Sequence, residues 1–230
     1  MTPSGEPRLL LVGRGRMGRL VDALSTEYGF QVVGMVNSGN ADSPEAWAEA
    51  DVAIDFSTGS AVAANARRLA ARGIDLVIGT TGWQADEGPL RQALAEFPIG
   101  VVAAPNFALG VNLFLALAQR AAELMATHAE FGAWIHEMHH RAKRDAPSGT
   151  AIAIRDTMEK SGYHSPIDVA STRVGSIPGT HTVGFDSAAE TITLTHAARD
   201  RTAFARGALQ AARWVHGRRG WFTMKDVLGL

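Results

Sequence analysis

The fold follows from one segment, Leu9-Leu10-Leu11-Val12-Gly13-Arg14-Gly15-Arg16-Met17-Gly18. A short apolar run that leads directly into G-x-G-x-x-G predicts a buried parallel strand, a turn and a helix. In such a loop Gly13 permits the tight turn, Gly15 lets backbone amides approach a pyrophosphate, and Gly18 lets helix and strand pack closely. The helix N-terminus then offers N–H groups and a partial positive charge to phosphates. The loop predicts a dinucleotide site, although a strand-to-helix turn without a ligand has the same pattern.

The residues that follow the second predicted strand bear on which nucleotide is bound. Val36-Asn37-Ser38 contains no Asp or Glu that would take both ribose hydroxyls. Arg14 and Arg16 are candidates to meet a 2′-phosphate, and the alternative is that both are solvated surface charges. We therefore predict NADPH and/or NADH as the cofactor, with tolerance or preference for NADPH.

The first half of the chain alternates apolar runs with helical patterns. Further strands are predicted over 30–36, 52–56, 76–79 and 99–103, with helices over 19–28, 61–72 and 89–97. Alternation at this spacing is typical of βαβ units and a mostly parallel sheet. The predicted fold class is α/β, with an N-terminal Rossmann-like domain.

The pattern changes after Asn106. Helices are predicted over 111–125 and 148–160, and strands over 130–138, 168–174, 179–185 and 190–197. This order predicts a C-terminal α+β domain with a mixed or antiparallel sheet. The helix over 203–216 and the tail over 220–230 are expected to return to the first domain. We thus place a dinucleotide-binding domain at 1–106 with 202–230, and a second domain at 107–201.

Composition excludes several classes of protein. The 230 residues contain 22 Lys+Arg against 23 Asp+Glu, so a general nucleic-acid binder is not expected. The absence of cysteine excludes a disulfide scaffold, a thiolate nucleophile and cysteine-ligated metals. No run approaches 18 apolar residues, and the opening MTPSGEPR lacks the apolar core of a signal peptide. We expect a cytoplasmic protein with no membrane partner.

The densest chemistry lies in the segment His136 to Thr150, HEMHHRAKRDAPSGT. Its first five residues match H-E-x-x-H, a zinc-protease pattern that needs a helix for both histidines to reach one metal. In a strand, His136 and His140 would lie about 13 Å apart. Because an apolar run precedes the segment and Pro147 closes it soon afterwards, we favour a strand and predict no metal site.

As a strand followed by a loop, the same segment predicts an anion site beside a proton donor. His139 and His140 would point to opposite sides, so that one faces a ligand. Lys143 brings a cation that is able to donate a proton. Ser148 is a predicted N-cap, which places N–H groups at a helix start, ready for a carboxylate. The alternative is one packed histidine and a solvated lysine, and packing is the favoured interpretation for His136.

These segments together closely resemble the 4-hydroxy-tetrahydrodipicolinate reductase family, also called the dihydrodipicolinate reductases. The resemblance rests on Gly15-Arg16-Met17-Gly18, Asp55-Phe56-Ser57, Gly79-Thr80-Thr81-Gly82, Ala104-Pro105-Asn106-Phe107 with Gly110-Val111-Asn112, and Glu137-Met138-His139-His140 with Lys143 and Asp145 to Ala151. The last segment is the most specific, and the five follow the family's order over most of the chain. The glycine loop is one residue shorter than the family's usual G-x-x-G-R-M-G.

The resemblance implies reduction of the cyclic product of dihydrodipicolinate synthase with NADH or NADPH, in lysine and diaminopimelate biosynthesis. It implies that His139 is the catalytic proton donor and acceptor and that Lys143 is a proton donor. Binding of a small dicarboxylate substrate is implied for His140, Gly149 and Thr150. Cofactor contacts are implied for Gly13, Arg14, Gly15, Arg16, Met17, Gly18, Phe56, Gly79, Thr80, Thr81, Ala104, Pro105, Asn106 and Phe107. It further implies a homotetramer built through the C-terminal domain, which binds substrate, with Arg201 near the domain hinge.

Two other classes of protein are left open by the residues. Another two-domain NAD(P)-dependent amino-acid dehydrogenase, such as an aspartate dehydrogenase-like enzyme, explains the glycine loop but not the whole segment from His139 to Thr150. A non-catalytic dinucleotide-binding regulator predicts a DNA-binding module with a basic recognition helix, which we do not find in the sequence.

Overall fold

The computed structural model describes residues 5–43 and 47–230, and its backbone contacts divide the chain into two units. Unit 1 extends to Ala108 and resumes over 202–230, while unit 2 is Leu109–Arg201. The sequence placed the first boundary after Asn106, two residues earlier. Residues 1–4 and 44–46 of the predicted first domain lie outside the described residues. The functional roles given to the two domains stay predictions.

Unit 1 is built around a six-stranded sheet. Its strands are β1 (Arg8–Val12), β2 (Gln31–Val36), β3 (Val52–Asp55), β4 (Asp75–Ile78), β5 (Gly100–Ala103) and β10 (Gly220–Phe222). Its helices are α1 (Arg16–Leu24), α2 (Gly59–Ala70), α3 (Glu87–Leu94), α6 (Thr202–Val215) and α7 (Met224–Leu228). The strand order is β10-β5-β4-β3-β1-β2, and all neighbours are parallel. The predicted Rossmann-like sheet is confirmed.

Burial on both faces of this sheet explains the uninterrupted apolar runs of its strands. On β1, Leu10 and Val12 pack into the core that contains Val62 of α2. Leu9 and Leu11 pack into the opposite core with Ala208 of α6. A parallel strand that is covered on both sides has no solvent face that would call for polar residues.

Helix α1 begins at Arg16, whereas the sequence predicted Arg19. Gly15 is its extended N-cap, with φ −72° and ψ −168°. The helix ends at Leu24, and a 3₁₀ turn over Ser25–Tyr28 continues to Gly29, which is left-handed at φ +67°. The first helical turn therefore lies inside the glycine motif, where its N–H groups face the loop.

Unit 2 is a four-stranded mixed sheet with two helices. Its elements are α4 (Leu109–Met125), β6 (Gly132–His139), α5 (Gly149–Lys160), β7 (Ile167–Arg173), β8 (Thr180–Asp186) and β9 (Thr191–Ala197). The order is β7-β6-β8-β9, in which β6 and β7 are parallel and the other pairs antiparallel. Ile135 and Val183 form its core with Phe114 of α4 and Ile154 of α5. The predicted mixed sheet is confirmed, and no helix in the described chain has the length and apolarity to cross a bilayer.

Strand β6 sets the orientation of the chemical groups in unit 2. Ala133, Ile135, Glu137 and His139 are buried, while the residues between them are more exposed. Because successive side chains of a strand point to opposite faces, Glu137 and His139 lie on the face that carries the core. His136 lies on the other face, where its Nε2 is 2.9 Å from Thr172 Oγ1.

Candidate active site

In unit 1, the predicted cofactor residues gather at one edge of the sheet. Gly13 to Gly18 follow β1, Phe56 follows β3, 79–81 follow β4, and 104–107 follow β5. All these strands are parallel, so their carboxyl ends meet at this edge. The order places β2 on one side of β1 and β3 on the other, and ligands of open α/β sheets bind at such a reversal.

The glycine loop has the close approaches that a dinucleotide loop requires. Gly13 has φ +105°, and a Cβ there would lie 2.3 Å from the Phe56 carbonyl oxygen. A Cβ at Gly18 would lie 1.9 Å from the Gly13 carbonyl oxygen. Around Gly15 a Cβ would meet nothing within 4 Å, and no side chain caps the start of α1. The exposed N–H groups and the open space at Gly15 fit a pyrophosphate.

Two cavities adjoin the loop. One of about 490 Å³ is lined by Gly13 to Gly15, by Asn37 and Ser38 after β2, and by Phe56 to Thr58 after β3. The other, of about 280 Å³, adds Arg16, Met17 and Gly79 to Thr81. The volume and position of the larger cavity fit the adenosine half of a dinucleotide. Arg14, which is exposed, lines this cavity together with Asn37.

Phe56 and Phe107 form the apolar part of this edge. Their rings meet edge to face, with centroids 6.5 Å apart, and Phe107 is buried. A Cβ at Gly79 would lie 2.2 Å from Phe56 Cε1, so a glycine lets the ring settle over β4. Of the 104–107 segment, Asn106 accepts a hydrogen bond from the Ala108 N–H at 2.9 Å.

Asp55 is an organising group to which the sequence analysis assigned no role. It is 1% exposed and accepts hydrogen bonds from the Ser57 N–H at 2.8 Å, Thr80 Oγ1 at 2.8 Å and Asn65 Nδ2 at 3.1 Å. One buried carboxylate thus holds together the loops after β3 and β4. The signal was an acid at the end of an otherwise apolar strand, where burial requires partners.

In unit 2, the candidate chemistry lies where β6 ends. Glu137 is fully buried, and both of its oxygens bind Arg173: Nη2 to Oε1 at 2.7 Å and Nη1 to Oε2 at 2.9 Å. His139 Nδ1 is hydrogen-bonded to the same Oε2. The Ser148 N–H reaches Oε1 at 3.2 Å. Arg173 was not predicted from the sequence, because only the β6–β7 register brings it opposite His139.

Ser148 is the N-cap of α5, as predicted. Its Oγ accepts a hydrogen bond from the Ala151 N–H at 3.2 Å and lies 3.1 Å from His181 Nε2. His181 packs edge to face on His139, with ring centroids 5.1 Å apart. The cap therefore leaves Gly149 and Thr150 in the first turn of α5, where N–H groups have no helical partner.

Lys143 and Asp145 lie in the loop between β6 and α5. Lys143 Nζ is 2.8 Å from Asp145 Oδ1, and the Lys143 N–H closes a turn on the His140 carbonyl at 3.0 Å. Hydrogen bonding from Lys143, and more weakly from the Gly149 N–H, lowers the pKa of Asp145. Lys143, predicted as the proton donor, and Gly149, predicted to bind substrate, thus both attract a carboxylate of the chain. Arg201, the last residue of unit 2, is exposed.

Burial and hydrogen bonding fix the charges of this cluster. Burial alone raises the pKa of Glu137, but hydrogen bonds, above all from Arg173, outweigh it and lower the pKa to about 2. Burial lowers the pKa of His139 despite the opposing effect of Glu137. Burial, aided by the neighbouring His139, lowers the pKa of His181 to about 4. At neutral pH the cluster therefore contains an ionised carboxylate and two neutral imidazoles.

Glu137, His139 and His181 also meet the geometric requirement for a metal site, since their donor atoms lie within 4.8 Å of one another. The carboxylate, however, already accepts hydrogen bonds from Arg173, Ser148 and His139. A cation would have to displace the His139 hydrogen bond beside a fixed guanidinium. We interpret the cluster as a hydrogen-bonded network, and the absence of a catalytic metal stays a prediction.

The buried, neutral His181 predicts an acid-sensitive fold. An unfolded chain takes up a proton near pH 6.5 at this residue and the folded chain only near pH 4. The unfolded state thus binds more protons between these values, and the free energy of unfolding falls as the pH drops from 6.5 to 4. The loss should reach about 3 kcal/mol, at ~1.4 kcal/mol per pH unit.

Chemical denaturation between pH 4 and 8 measures this effect. His181→Gln should flatten the dependence relative to the unmodified chain, whereas His164→Gln, at an exposed position, should not. Parallel curves for the chain and its His181→Gln variant would contradict the assignment.

Unit 1 has parallel strands and an open glycine loop, and unit 2 has a histidine–lysine site and a capped helix start. These features together define a class, the two-domain NAD(P)-dependent oxidoreductases. Comparison with known proteins identifies the family within this class. The model described as "Dihydrodipicolinate reductase, N-terminus" matches residues 7–107, and "Dihydrodipicolinate reductase, C-terminus" matches residues 110–228. The chain belongs to the dihydrodipicolinate reductase family.

Relatives agree with this assignment over nearly their whole length. The chain is 38% identical over 269 aligned positions to a 4-hydroxy-tetrahydrodipicolinate reductase of Rhodopseudomonas palustris, covering 98% of each chain. It is 41% identical over 237 positions to the enzyme of that name from Acidiphilium cryptum, covering 94% of each. Dipicolinate-bound dihydrodipicolinate reductase from Paenisporosarcina sp. TG-14 has the same fold, with 22% identity, a TM-score of 0.78 and coverage of 94% and 97%. These findings support the reductase over the two other classes that the residues left open.

Proposed function

We propose that this chain reduces 4-hydroxy-tetrahydrodipicolinate to tetrahydrodipicolinate with NADH or NADPH, in lysine and diaminopimelate biosynthesis. The observation that carries the proposal is the loop between β6 and α5. There, Lys143 and the Gly149 N–H already attract the carboxylate of Asp145. Groups that attract this carboxylate are suited to a dicarboxylate substrate.

Substrate binding follows from those donors. Asp145 is largely exposed, so a substrate carboxylate can exchange with it on Lys143 and on the first turn of α5. Gly149 and Thr150 then supply backbone N–H groups at the positive end of the helix. His140, half-buried directly after β6, supplies a further polar group.

The reaction needs a proton as well as a hydride. The substrate first loses water, made of its hydroxyl and a hydrogen of the neighbouring ring carbon. The unsaturated ring then gains a hydride at the carbon that carried the hydroxyl and a proton where negative charge develops. Bound NAD(P)H supplies the hydride. A nearby ammonium stabilises that charge, and we assign Lys143 to donate the proton. Burial lowers the pKa of His139 and so favours its neutral form, which is suited to accept a proton and return it.

Cofactor binding is proposed for unit 1. Gly13, Gly15 and Gly18 with the start of α1 would hold the pyrophosphate, and the cavity at Asn37 would take the adenosine ribose. Arg14 lines this cavity and Arg16 lines the neighbouring one, and both are candidates for a 2′-phosphate. The same sheet edge is lined by Gly79 to Thr81 and by Ala104 to Phe107, and we assign these residues to bind the rest of the cofactor.

A coupled assay tests the proposed function. Dihydrodipicolinate synthase, pyruvate and aspartate semialdehyde generate the substrate, and loss of nicotinamide absorbance is followed with NADH and with NADPH. We expect oxidation only when all components are present and none when the synthase is omitted. If the absorbance did not fall in the complete mixture, the result would contradict the proposal.

The residue after β2 predicts a change in cofactor preference. Asn37 Oδ1 accepts the Gly39 N–H at 2.8 Å, a bond that an aspartate oxygen can also accept. Asn37→Asp should therefore keep the turn while adding a charge that repels a 2′-phosphate. We expect the KM ratio of NADPH to NADH to rise about tenfold, equivalent to ~1.4 kcal/mol.

Steady-state kinetics with both cofactors measures this ratio. Ser38→Ala is the matched control, because it alters the same cavity without adding charge. An unchanged ratio in Asn37→Asp would show that this residue does not meet the ribose.

Two finer properties are also proposed. The face of the second sheet that bears Trp134 and His136 lies opposite the α4 and α5 core, and we propose it as the contact between copies in a homotetramer. A solution mass of four times the 24.4 kDa chain would agree with it. We propose that the protein is located in the cytoplasm. We also propose that it has no membrane partner and no nucleic-acid partner.

A further inference from the structure

We infer that Glu137, clamped by Arg173, is a positioning residue that holds His139 in a single tautomer, with the proton on Nδ1 and Nε2 left as the reacting nitrogen. The inference deepens the proposed function, because it rests on the role assigned to His139. Glu137 itself touches neither substrate nor cofactor in this scheme.

Glu137 presents only hydrogen-bond acceptors to His139. Its carboxylate is fully buried, and Arg173 binds both oxygens at 2.7 and 2.9 Å. This paired geometry is the strongest that a carboxylate forms with a guanidinium and keeps it ionised. An ionised carboxylate can only accept, so the hydrogen bond to His139 Nδ1 requires a proton on that nitrogen.

The second step concerns the other ring nitrogen. Among the described residues, His139 Nε2 has no hydrogen-bond partner, and it faces the backbone at Gly179. A Cβ at Gly179, where φ is +154°, would lie 3.0 Å from Nε2. The glycine thus keeps a side chain away from the nitrogen that would exchange a proton.

The third step is that the ion pair also anchors the loop of Lys143. Arg173 Nη2 donates to the Asp145 carbonyl oxygen at 2.5 Å, and the Ser148 N–H donates to Glu137 at 3.2 Å. The C-terminal half of the segment between β6 and α5 is therefore tied at two points, Asp145 and Ser148, to the Glu137–Arg173 pair. A change at Glu137 should affect His139 directly and the loop through Arg173 and Ser148.

Register explains why this pair exists. Glu137 and His139 are two residues apart on β6, so both face the same side. Arg173 pairs with His139 across the parallel β6–β7 ladder, which brings its guanidinium beside that face. The charged or titratable groups that act on His139 are Glu137, Lys143, Arg173 and the adjoining His181.

Nitrogen NMR of the full chain labelled with ¹⁵N-histidine tests the inference. His139 signals are assigned by their loss in His139→Gln. In the unmodified chain we expect the Nδ1–H tautomer across neutral and alkaline pH, instead of the Nε2–H form that free histidine favours. An Nε2–H or averaged His139 would overturn the inference, and this measurement needs no variant at Glu137.

Glu137→Gln provides the second measurement. Arg173 and Ser148 should retain the amide oxygen, which turns the NH₂ group toward His139 Nδ1 and forces the proton to Nε2. We expect the tautomer to reverse and kcat to fall at least about tenfold, as happens when the orienting acid of a triad becomes an amide. Glu190→Gln, at an exposed turn, should change neither.

An unchanged tautomer and kcat in a folded Glu137→Gln protein would overturn the inference. The unmodified chain could instead be folded and inactive while His139 has the expected Nδ1–H tautomer. That result would contradict the proposed function but not the positioning role of Glu137. The two failures are therefore distinguishable.

Discussion

Lys143→Ala should lower kcat by about two to four orders of magnitude, the usual contribution of a positioned proton donor, while NAD(P)H affinity stays nearly unchanged. The reason is that Lys143 lies in unit 2 beside Asp145 and His140, whereas the glycine loop lies in unit 1. Steady-state kinetics in the coupled assay measures kcat, and a fluorescence titration measures cofactor binding.

Two further variants separate charge from proton donation at this position. Lys143→Arg keeps a cation for the substrate carboxylate but cannot give up its proton, so KM should change less than kcat. Lys160→Ala removes a lysine from the exposed end of α5 and should leave both constants unaltered. Full turnover in Lys143→Ala would remove this residue from the mechanism.

Gly18→Ala should weaken NAD(P)H binding by at least about tenfold and destabilise unit 1. The added Cβ would lie 1.9 Å from the Gly13 carbonyl oxygen, which is backbone and cannot rotate away as a side chain would. Either α1 moves outward or the Gly13 peptide is displaced, and both changes disturb the loop. Overpacking of this kind costs about 1–3 kcal/mol.

Thermal unfolding and cofactor titration measure the two effects of Gly18→Ala. Gly88→Ala is the matched control, since Gly88 lies in α3 and a Cβ there would meet nothing within 4 Å. That control should stay close to neutral, because the better helix propensity of alanine is opposed by Pro89, which disfavours a helical residue with a Cβ before it. Normal NAD(P)H affinity in Gly18→Ala would contradict the proposed cradle.

Much of the fold was predictable because its determinants are local. The apolar run before Gly13 predicted β1, and glycines at 13 and 18 occupy positions where a Cβ would strike backbone. The strand at His136 was predicted against the H-E-x-x-H pattern, and β6 is a strand up to His139. The start of α1 at Arg16 was not predicted, because the helix begins within the glycine motif itself.

The candidate site was predictable only in part. His139, Lys143 and Ser148 lie within one continuous segment, so their types and spacing indicated an anion site with a proton donor. No role was predicted from the sequence for Glu137, Arg173, His181 or Asp55. Asp55 binds Thr80 from 25 residues away, and His181 meets Ser148 from 33 residues away. Nothing near these residues in the chain indicates such distant partners.

The class of each domain, the family and the segment that carries the chemistry could all be predicted from the linear sequence. Local periodicity, glycine sterics and helix capping depend on residues a few positions apart, and these are visible in a linear chain. The partners that fix the site depend on tertiary contacts. Arg173 meets Glu137 from 36 residues away because β7 pairs with β6 in one register, and a shift by one residue would turn its side chain to the opposite face. The charge of Glu137 and the proton position on His139 follow from that register.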